Sequence, residues 1–253
     1  MIHCGNIIIA EDAKRLAVAG AELFRRHARR SIERSGRFAA AISGGSTPRS
    51  MHRLLARHPY VTEISWERVH LFWVDERLVS ADDPASNYGA AKMDFLNAVS
   101  IPADQVHPMT SEKSPPEAAA DYRRKLETCI GGGADRLPRF DLVILGIGPD
   151  GHTASVFPQD PTAEATDLPV VAVKGGNPNV FRLTLSMPVL NRAACAVFIV
   201  SGAGKAQIVK NLLAGEASQL PAARVLPVSG RLIWLLDRDA ADTLLNFSHF
   251  SSL

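Results

Sequence analysis

Several features that mark large protein classes are scarce in this 253-residue sequence. It contains only three cysteines, Cys4, Cys129 and Cys195, which lie far apart and form no CxxC pair. An odd, scattered set argues against a disulfide framework, so we expect a reducing, cytoplasmic location. The sequence also has no apolar run of membrane-span length, and no basic stretch followed by an apolar core at its start. We therefore expect a soluble protein that binds no membrane.

Excess charge and the common catalytic signatures are missing as well. The formal net charge is only +2, which gives no basis for a nucleic-acid-binding surface. No GxSxG elbow marks a serine nucleophile, and neither HExxH nor a similar histidine spacing marks a metal site. The GxxxxGKS/T loop of nucleotide-binding enzymes is absent too. We therefore expect chemistry without a metal, a cofactor or a covalent nucleophile.

Apolar segments of strand length alternate with segments of helical periodicity along the chain. The hydrophobic fraction is 46% and the charged fraction 21%, which is enough apolar material for a sizeable core. The alternation predicts an α/β fold with a mainly parallel sheet and helices on both faces. No repeat, low-complexity tract or compositional shift marks a linker. We therefore expect a single domain over residues 1–253, with a small excursion around residues 157–185.

The segment after the predicted strand 141–145 combines three glycines with an acid and an imidazole. It carries Asp150 and His152 in a Gly-x-Asp-Gly-His turn, and we expect Thr153 and Ser155 to cap a helix that follows. In an open α/β sheet, ligands bind outside the carboxyl ends of the strands. The turn therefore presents a titratable pair where chemistry takes place, although a lone histidine there is more often an ordinary loop residue.

A second predicted strand, 38–42, runs into a glycine-rich stretch with hydroxyl side chains and a proline at a helix start. Glycines let backbone N–H groups point inward, the helix N-terminus adds partial positive charge, and hydroxyls donate hydrogen bonds. These properties favour a phosphate site over a plain tight turn. The residues concerned are Gly44, Gly45, Ser46 and Thr47.

Two further strand ends carry charged residues. The predicted strand 69–74 is followed by Asp75, Glu76 and Arg77 in a polar loop that leads to a helix over about 89–99. A salt-bridged surface cluster is the alternative interpretation of these three residues. The predicted strand 196–200 ends in a glycine-containing turn and then Lys205, at the start of a helix over 205–213. An anion contact and a solvated surface lysine are equally good interpretations of Lys205.

Taken together and in this order, the motifs resemble those of the 6-phosphogluconolactonase family over nearly the whole chain. Each motif is only moderately specific, but five of them occur in register. The resemblance rests on residues 43–48, 75–77 with 86–88, 146–158, 182–185 and 204–206, and it extends to Trp234 and Asp237.

The resemblance implies a Rossmann-like fold and a cytosolic hydrolase of 6-phospho-D-glucono-1,5-lactone, the second step of the oxidative pentose phosphate pathway. With the resemblance as guide, we expect residues 44–47 to bind the phosphate of the substrate. Arg77, Arg182 and Lys205 would be its charged contacts. The partner is then a small phosphosugar lactone, and we expect a monomer or a weakly associated dimer.

The same resemblance suggests how the catalytic groups would act. His152 would serve as the general base on the attacking water, with its tautomer set by Asp150 or Asp75. A neutral imidazole has a pKa near 6.5, which suits a base at neutral pH. Backbone N–H groups near residues 148–151, or a cationic side chain, would stabilise the oxyanion.

Two alternatives remain at this point. Glucosamine-6-phosphate deaminase shares the fold and several motifs, but it has tyrosine where this chain has Arg77 and a glutamate where this chain has Phe157. An apolar ring cannot relay a proton, so aminosugar ring opening is disfavoured. A non-catalytic sugar-phosphate sensor would carry an added helix-turn-helix segment, and residues 1–35 show none.

Overall fold

The main sheet of the protein has seven strands, and all neighbouring strands in it run parallel. The structure is a computed structural model that describes residues 6–110, 112–131 and 137–245, so Cys4 lies outside it. In chain order the strands are β1 (Asn6–Ala10), β2 (Phe38–Ile42), β3 (Val69–Trp73), β4 (Asp75–Arg77), β5 (Val106–His107), β6 (Leu142–Leu145), β7 (Val170–Gly175), β8 (Val180–Leu185), β9 (Cys195–Val200) and β10 (Arg231–Asp237). The order across the main sheet is β1-β10-β9-β6-β2-β3-β5, and β4, β8 and β7 form a separate antiparallel sheet.

Helices follow most of the strands and cover the main sheet. They are α1 (Ala13–Ser35), α2 (Ser46–Leu55), α3 (Tyr60–Glu63), α4 (Asn87–Ala91), α5 (Pro115–Ile130), α6 (Met187–Leu190), α7 (Ala206–Ala214) and α8 (Arg238–Leu245), with a π-helix at Lys92–Leu96 directly after α4. The predicted α/β fold is thereby confirmed. Within the described ranges, no helix is long and apolar enough to cross a membrane.

The central strands are buried along their whole length. Every residue of β2, β6 and β9 is buried, which matches the unbroken apolar runs expected of parallel strands covered on both faces. The helix α1 begins where the Asp12 side chain accepts a hydrogen bond from the Arg15 N–H, at 2.7 Å. Its apolar stripe, which includes Leu16, Phe24 and Ala28, is buried in the core.

The strand order reverses between β2 and β6. From β2 the chain continues to β3 and β5 on one side, and it then returns to β6 on the other side of β2. At such a reversal the connections after the two strands diverge and leave a crevice at their carboxyl ends. The glycine-rich turns that follow Ile42 and Leu145 therefore lie on the two sides of this crevice.

The prediction of a polar loop at residues 75–77 was wrong. These residues form β4, which pairs antiparallel with β8 so that Asp75 lies opposite Thr184 and Arg77 lies opposite Arg182. A three-residue charged strand has no apolar alternation, and its partner is remote in sequence, so local pattern could not reveal it. The β7–β8 hairpin lies in the region where the sequence predicts an excursion.

Candidate active site

A cavity of about 360 Å³ opens at the crevice between β2 and β6. Its walls come from the carboxyl ends of β2, β3, β6 and β9 and from the tip of the β7–β8 hairpin. All but one of the predicted site residues line it, and the exception, Asp150, contacts a residue that does. The predicted residues in the wall are Gly44, Gly45, Ser46, Thr47, Asp75, Arg77, His152, Arg182 and Lys205.

The glycine-rich turn after β2 forms one wall of the cavity. Because α2 begins at Ser46, the first N–H groups of this helix have no acceptor inside it. Gly44 packs directly against Asn87, and a Cβ at Gly44 would lie 1.9 Å from Asn87 Oδ1, so only glycine fits there. The helix terminus and the hydroxyls of Ser46 and Thr47 together have the chemistry of an anion site.

The imidazole of His152 is paired with Asp150 at the end of β6. His152 Nδ1 and Asp150 Oδ1 are 2.5 Å apart, and this contact leaves Nε2 as the second ring nitrogen. Burial opposes the charge on Asp150, but the His152 N–H and the imidazole outweigh it and lower the pKa of Asp150. An ionised carboxylate at Nδ1 favours the tautomer with a proton on Nδ1 and a free lone pair on Nε2.

No helix follows the histidine turn, so the predicted capping role of Thr153 and Ser155 was wrong. The chain instead makes a tight turn in which the Val156 N–H donates to the Thr153 carbonyl at 2.9 Å, with Ala154 at a φ of 49°. Thr153 Oγ1 donates to the carbonyl of Gly146 at 2.9 Å. Neither hydroxyl caps a helix: Thr153 Oγ1 binds Gly146, and Ser155 Oγ binds Asp75.

Asp75 is hydrogen-bonded to the turn of residues 153–156 and not to the imidazole of His152. Its Oδ2 accepts a hydrogen bond of 2.6 Å from Ser155 Oγ, and the carboxylate is buried where it lines the cavity. The sequence left Asp150 and Asp75 open as partners of His152, and the geometry favours Asp150. Asp75 remains available to contact a bound ligand.

Three backbone N–H groups of the histidine turn, those of Gly148, Gly151 and His152, are already engaged. Gly148 donates to the His152 carbonyl at 2.8 Å, and Gly151 donates to the Gly148 carbonyl at 3.1 Å. The His152 N–H donates to Asp150 Oδ1 at 3.2 Å. Of the two sources of oxyanion stabilisation that the sequence suggests, a cationic side chain is therefore the better supported.

Two arginines face each other across the β4–β8 pair. Arg77 and Arg182 occupy opposite positions in register, and both line the cavity. Arg182 Nε and Nη2 donate to the carbonyls of Gly175 and Pro178, at 2.8 and 3.2 Å, and so hold the hairpin tip. Burial lowers the pKa of Arg182, and the positive charge of Arg77 lowers it further. The carboxylate of Asp75 opposes this shift. A pair of like charges in a cavity wall favours an anionic ligand.

Lys205 supplies positive charge from the other side, at the end of β9. Its Nζ donates to the carbonyl of Ile147 at 2.8 Å, which places the ammonium beside the histidine turn. Burial lowers the pKa of Lys205, and the charge of Asp150 partly offsets that effect. The turn that carries Lys205 is fixed by Asp237, which accepts a hydrogen bond of 3.0 Å from the Gly202 N–H. An ammonium in this position is a charged cavity contact and not a freely solvated surface lysine.

Asn87 and Phe157 are among the residues of the cavity wall to which sequence reasoning gave no site role. Asn87 contacts Gly44 and donates through Nδ2 to the carbonyl of Asp75 at 3.0 Å. Phe157 packs on the imidazole of His152, with ring centroids 5.1 Å apart. The sequence interpretation treated Phe157 only as an absent proton relay, and the apolar run around it gave no sign of this contact. For Asn87, the polar stretch before α4 was the only available signal.

The arrangement can bind an anion and remove a proton from water in the same cavity. The glycine-rich turn and the cationic side chains can bind the anion, and an imidazole held by a carboxylate can remove the proton. Among the residues that the structure describes, no group of three His, Cys, Asp or Glu side chains lies close enough to hold a metal ion.

Comparison with known proteins agrees with this picture. Residues 11–234 match the family model described as glucosamine-6-phosphate isomerases/6-phosphogluconolactonase. The chain is 42% identical to a 6-phosphogluconolactonase of Synechocystis sp. over 85% of this chain and 88% of that protein. It is 39% identical to the 6-phosphogluconolactonase of Rattus norvegicus over 95% and 94% of the two chains. The solved 6-phosphogluconolactonase of Trypanosoma cruzi superposes with a TM-score of 0.85 at 27% identity, over 96% of this chain and 98% of that one.

Proposed function

The chain belongs to the glucosamine-6-phosphate isomerase/6-phosphogluconolactonase family, and we infer from this that it hydrolyses 6-phospho-D-glucono-1,5-lactone to 6-phosphogluconate. This is the lactone-opening step of the oxidative pentose phosphate pathway. The observation that carries the inference is the His152–Asp150 pair in the same cavity as the glycine-rich turn of residues 44–47. The His152–Asp150 pair suits the activation of water, and the glycine-rich turn suits the binding of the substrate's phosphate.

In our proposed mechanism, His152 Nε2 removes a proton from water as the water oxygen bonds to the lactone carbonyl carbon. The tetrahedral intermediate then collapses, the bond to the ring oxygen breaks, and the imidazolium returns its proton to that oxygen. Asp150 holds Nδ1 throughout and stabilises the imidazolium. General base catalysis of this kind contributes roughly 10²–10⁴-fold to the rate.

Phe157 argues against the deaminase alternative. Its ring packs on His152 and lies 8% exposed, so it fills the space beside the imidazole with an apolar group. A carboxylate that could relay a proton to an aminosugar is therefore not found at that position. Lactone hydrolysis needs only the base and the water, and it is compatible with this apolar neighbour.

The activity is tested by a coupled assay. Glucose-6-phosphate dehydrogenase generates the lactone in situ, and 6-phosphogluconate dehydrogenase reports its opening as NADPH. The purified protein should accelerate opening above the spontaneous rate. A second reaction offers glucosamine 6-phosphate and measures ammonia. Ammonia release without lactone hydrolysis would replace the proposed function with that of a deaminase.

We propose that Lys205 contacts the phosphate of the substrate. Lys205→Met should weaken binding and raise KM by roughly 10–100-fold, because a hydrogen bond to a charged group is worth about 1.5–3 kcal/mol. Lys174→Met is the matched control, since Lys174 is exposed and its ammonium lies over the Phe181 ring outside the cavity. Steady-state kinetics decide the point, and an unchanged KM in Lys205→Met would remove this residue from the binding site.

The cellular location and assembly state belong to the same proposal. We place the enzyme in the cytoplasm, because its scattered cysteines suit a reducing compartment. We also propose that it is a monomer or a weakly associated dimer. Sedimentation velocity over a range of protein concentrations would test the second statement.

A further inference from the structure

Glu76 is a buried carboxylate for which the proposed mechanism has no use. Its side chain is 1% exposed and accepts four hydrogen bonds. Oε1 accepts from the N–H groups of Arg77 and Asn87, both at 2.8 Å, and Oε2 accepts from the Tyr88 N–H at 2.7 Å and from Ser86 Oγ at 3.2 Å. All of these donors belong to β4 or to the start of α4. Glu76 therefore holds the first turn of α4 against β4.

The residue that this arrangement holds most closely is Asn87, the first residue of α4. Asn87 is 6% exposed, and its Nδ2 donates to the carbonyl of Asp75 at 3.0 Å. Its Oδ1 lies so near Gly44 that a Cβ there would be 1.9 Å away. The side chain thus lies between the start of β4 and the glycine-rich turn. Any shift of α4 would move this side chain away from Gly44.

We infer that Glu76 is a positioning residue for substrate binding, which acts through Asn87 to fix the anion-binding shape of residues 44–47. This rests on the proposed function, because it assigns the glycine-rich turn to the phosphate of the substrate. Glu76 does not line the cavity. Its effect must therefore appear in binding and not in the chemical step.

Glu76→Gln is the sharpest substitution. Glutamine keeps the shape of the side chain but replaces one acceptor oxygen by an amide NH₂, which then faces N–H donors and cannot accept from them. Burial raises the pKa of Glu76 against the opposing effect of its three backbone donors. The geometry of the first turn of α4 is what the variant disturbs.

The experiment compares wild type, Glu76→Gln, Asn87→Ala and a control in the coupled assay, with inorganic phosphate as a competing ligand. We expect KM and the inhibition constant of phosphate to rise together by about tenfold in both variants, with kcat changed much less. The control is Asp141→Asn. Asp141 also accepts a backbone N–H, that of Ala39 at 2.9 Å, but it lies at the opposite end of β6. Its KM should match the wild type.

Three outcomes would count against the inference in different ways. Unchanged KM and phosphate inhibition in Asn87→Ala would refute it while leaving the phosphate site intact. A fall in kcat at constant KM in Glu76→Gln would show an effect on chemistry and would also refute it. If phosphate does not compete in the wild type, the assignment of the glycine-rich turn itself fails. Should Glu76→Gln not fold, Ser86→Ala takes its place, because it removes one of the four bonds of Glu76 and leaves the Asn87 side chain unchanged. An unchanged KM in Ser86→Ala would then refute the inference.

Discussion

Replacing His152 by alanine is expected to lower kcat by about 10²–10⁴-fold, with KM nearly unchanged. The imidazole lines the cavity and is fixed through Nδ1 by Asp150, so its loss removes the base but leaves the anion-binding turn intact. The coupled assay measures the change, after subtraction of spontaneous lactone opening. This is the largest effect that we expect from any single side chain of the site.

A matched histidine variant separates this effect from a general loss of stability. His58 is exposed and contacts only Thr62 through its ring nitrogen, at 3.3 Å, so His58→Ala should retain full activity. An Asp75→Asn variant completes the set. If it lost as much kcat as His152→Ala, the assignment of the base to the imidazole would be unsupported. Full kcat in His152→Ala would refute that assignment directly.

A methyl group at Gly148 should damage the same step although neither His152 nor Asp150 is replaced. A Cβ at this position would lie 2.1 Å from His152 Nδ1 and 2.6 Å from Asp150 Oδ1, so the pair must move as a unit. Displacement of a catalytic group by about 1 Å can cost about 10²-fold in rate. We therefore expect Gly148→Ala to lower kcat by about 10²-fold, measured in the coupled assay beside circular dichroism.

The control for this variant is Gly204→Ala. A Cβ at Gly204 would have no atom within 4 Å, although the residue directly precedes Lys205. Its activity should stay close to that of the wild type. If Gly148→Ala also kept its activity, the observed position of the His152–Asp150 pair would not be the one that the reaction requires.

The strand ends could be predicted from sequence because each is a local pattern. An apolar run followed by glycine and polar residues marks the end of a buried parallel strand, and such a fold gathers these ends at one edge. With the family resemblance as guide, this pattern grouped Gly44, Asp75, His152 and Lys205 at one site, and all four line the cavity. Which residue contacts which was not predictable in the same way, since the choice between Asp150 and Asp75 depends on distances of a few ångström.

The errors arose where remote segments compete with local preference. Ser155 is a good helix-capping residue in isolation, but its hydroxyl binds Asp75 at the end of another strand. Residues 75–77 have the composition of a loop, but pairing with β8 makes them a strand. Asn87 and Glu76 lie in motifs that carry the family resemblance, but no local pattern could show their contacts with Gly44 and with the backbone of α4.

The separate antiparallel sheet has a consequence for how such an enzyme can diversify. The β7–β8 hairpin reaches the cavity through Gly176 and Asn177, and residues 176–179 at its tip are exposed. The groups that we propose for proton transfer lie in a different segment of the chain, at the end of β6. Substitutions in the hairpin tip can therefore change which sugar ring the cavity admits. The residues proposed to open the ring need not change with them.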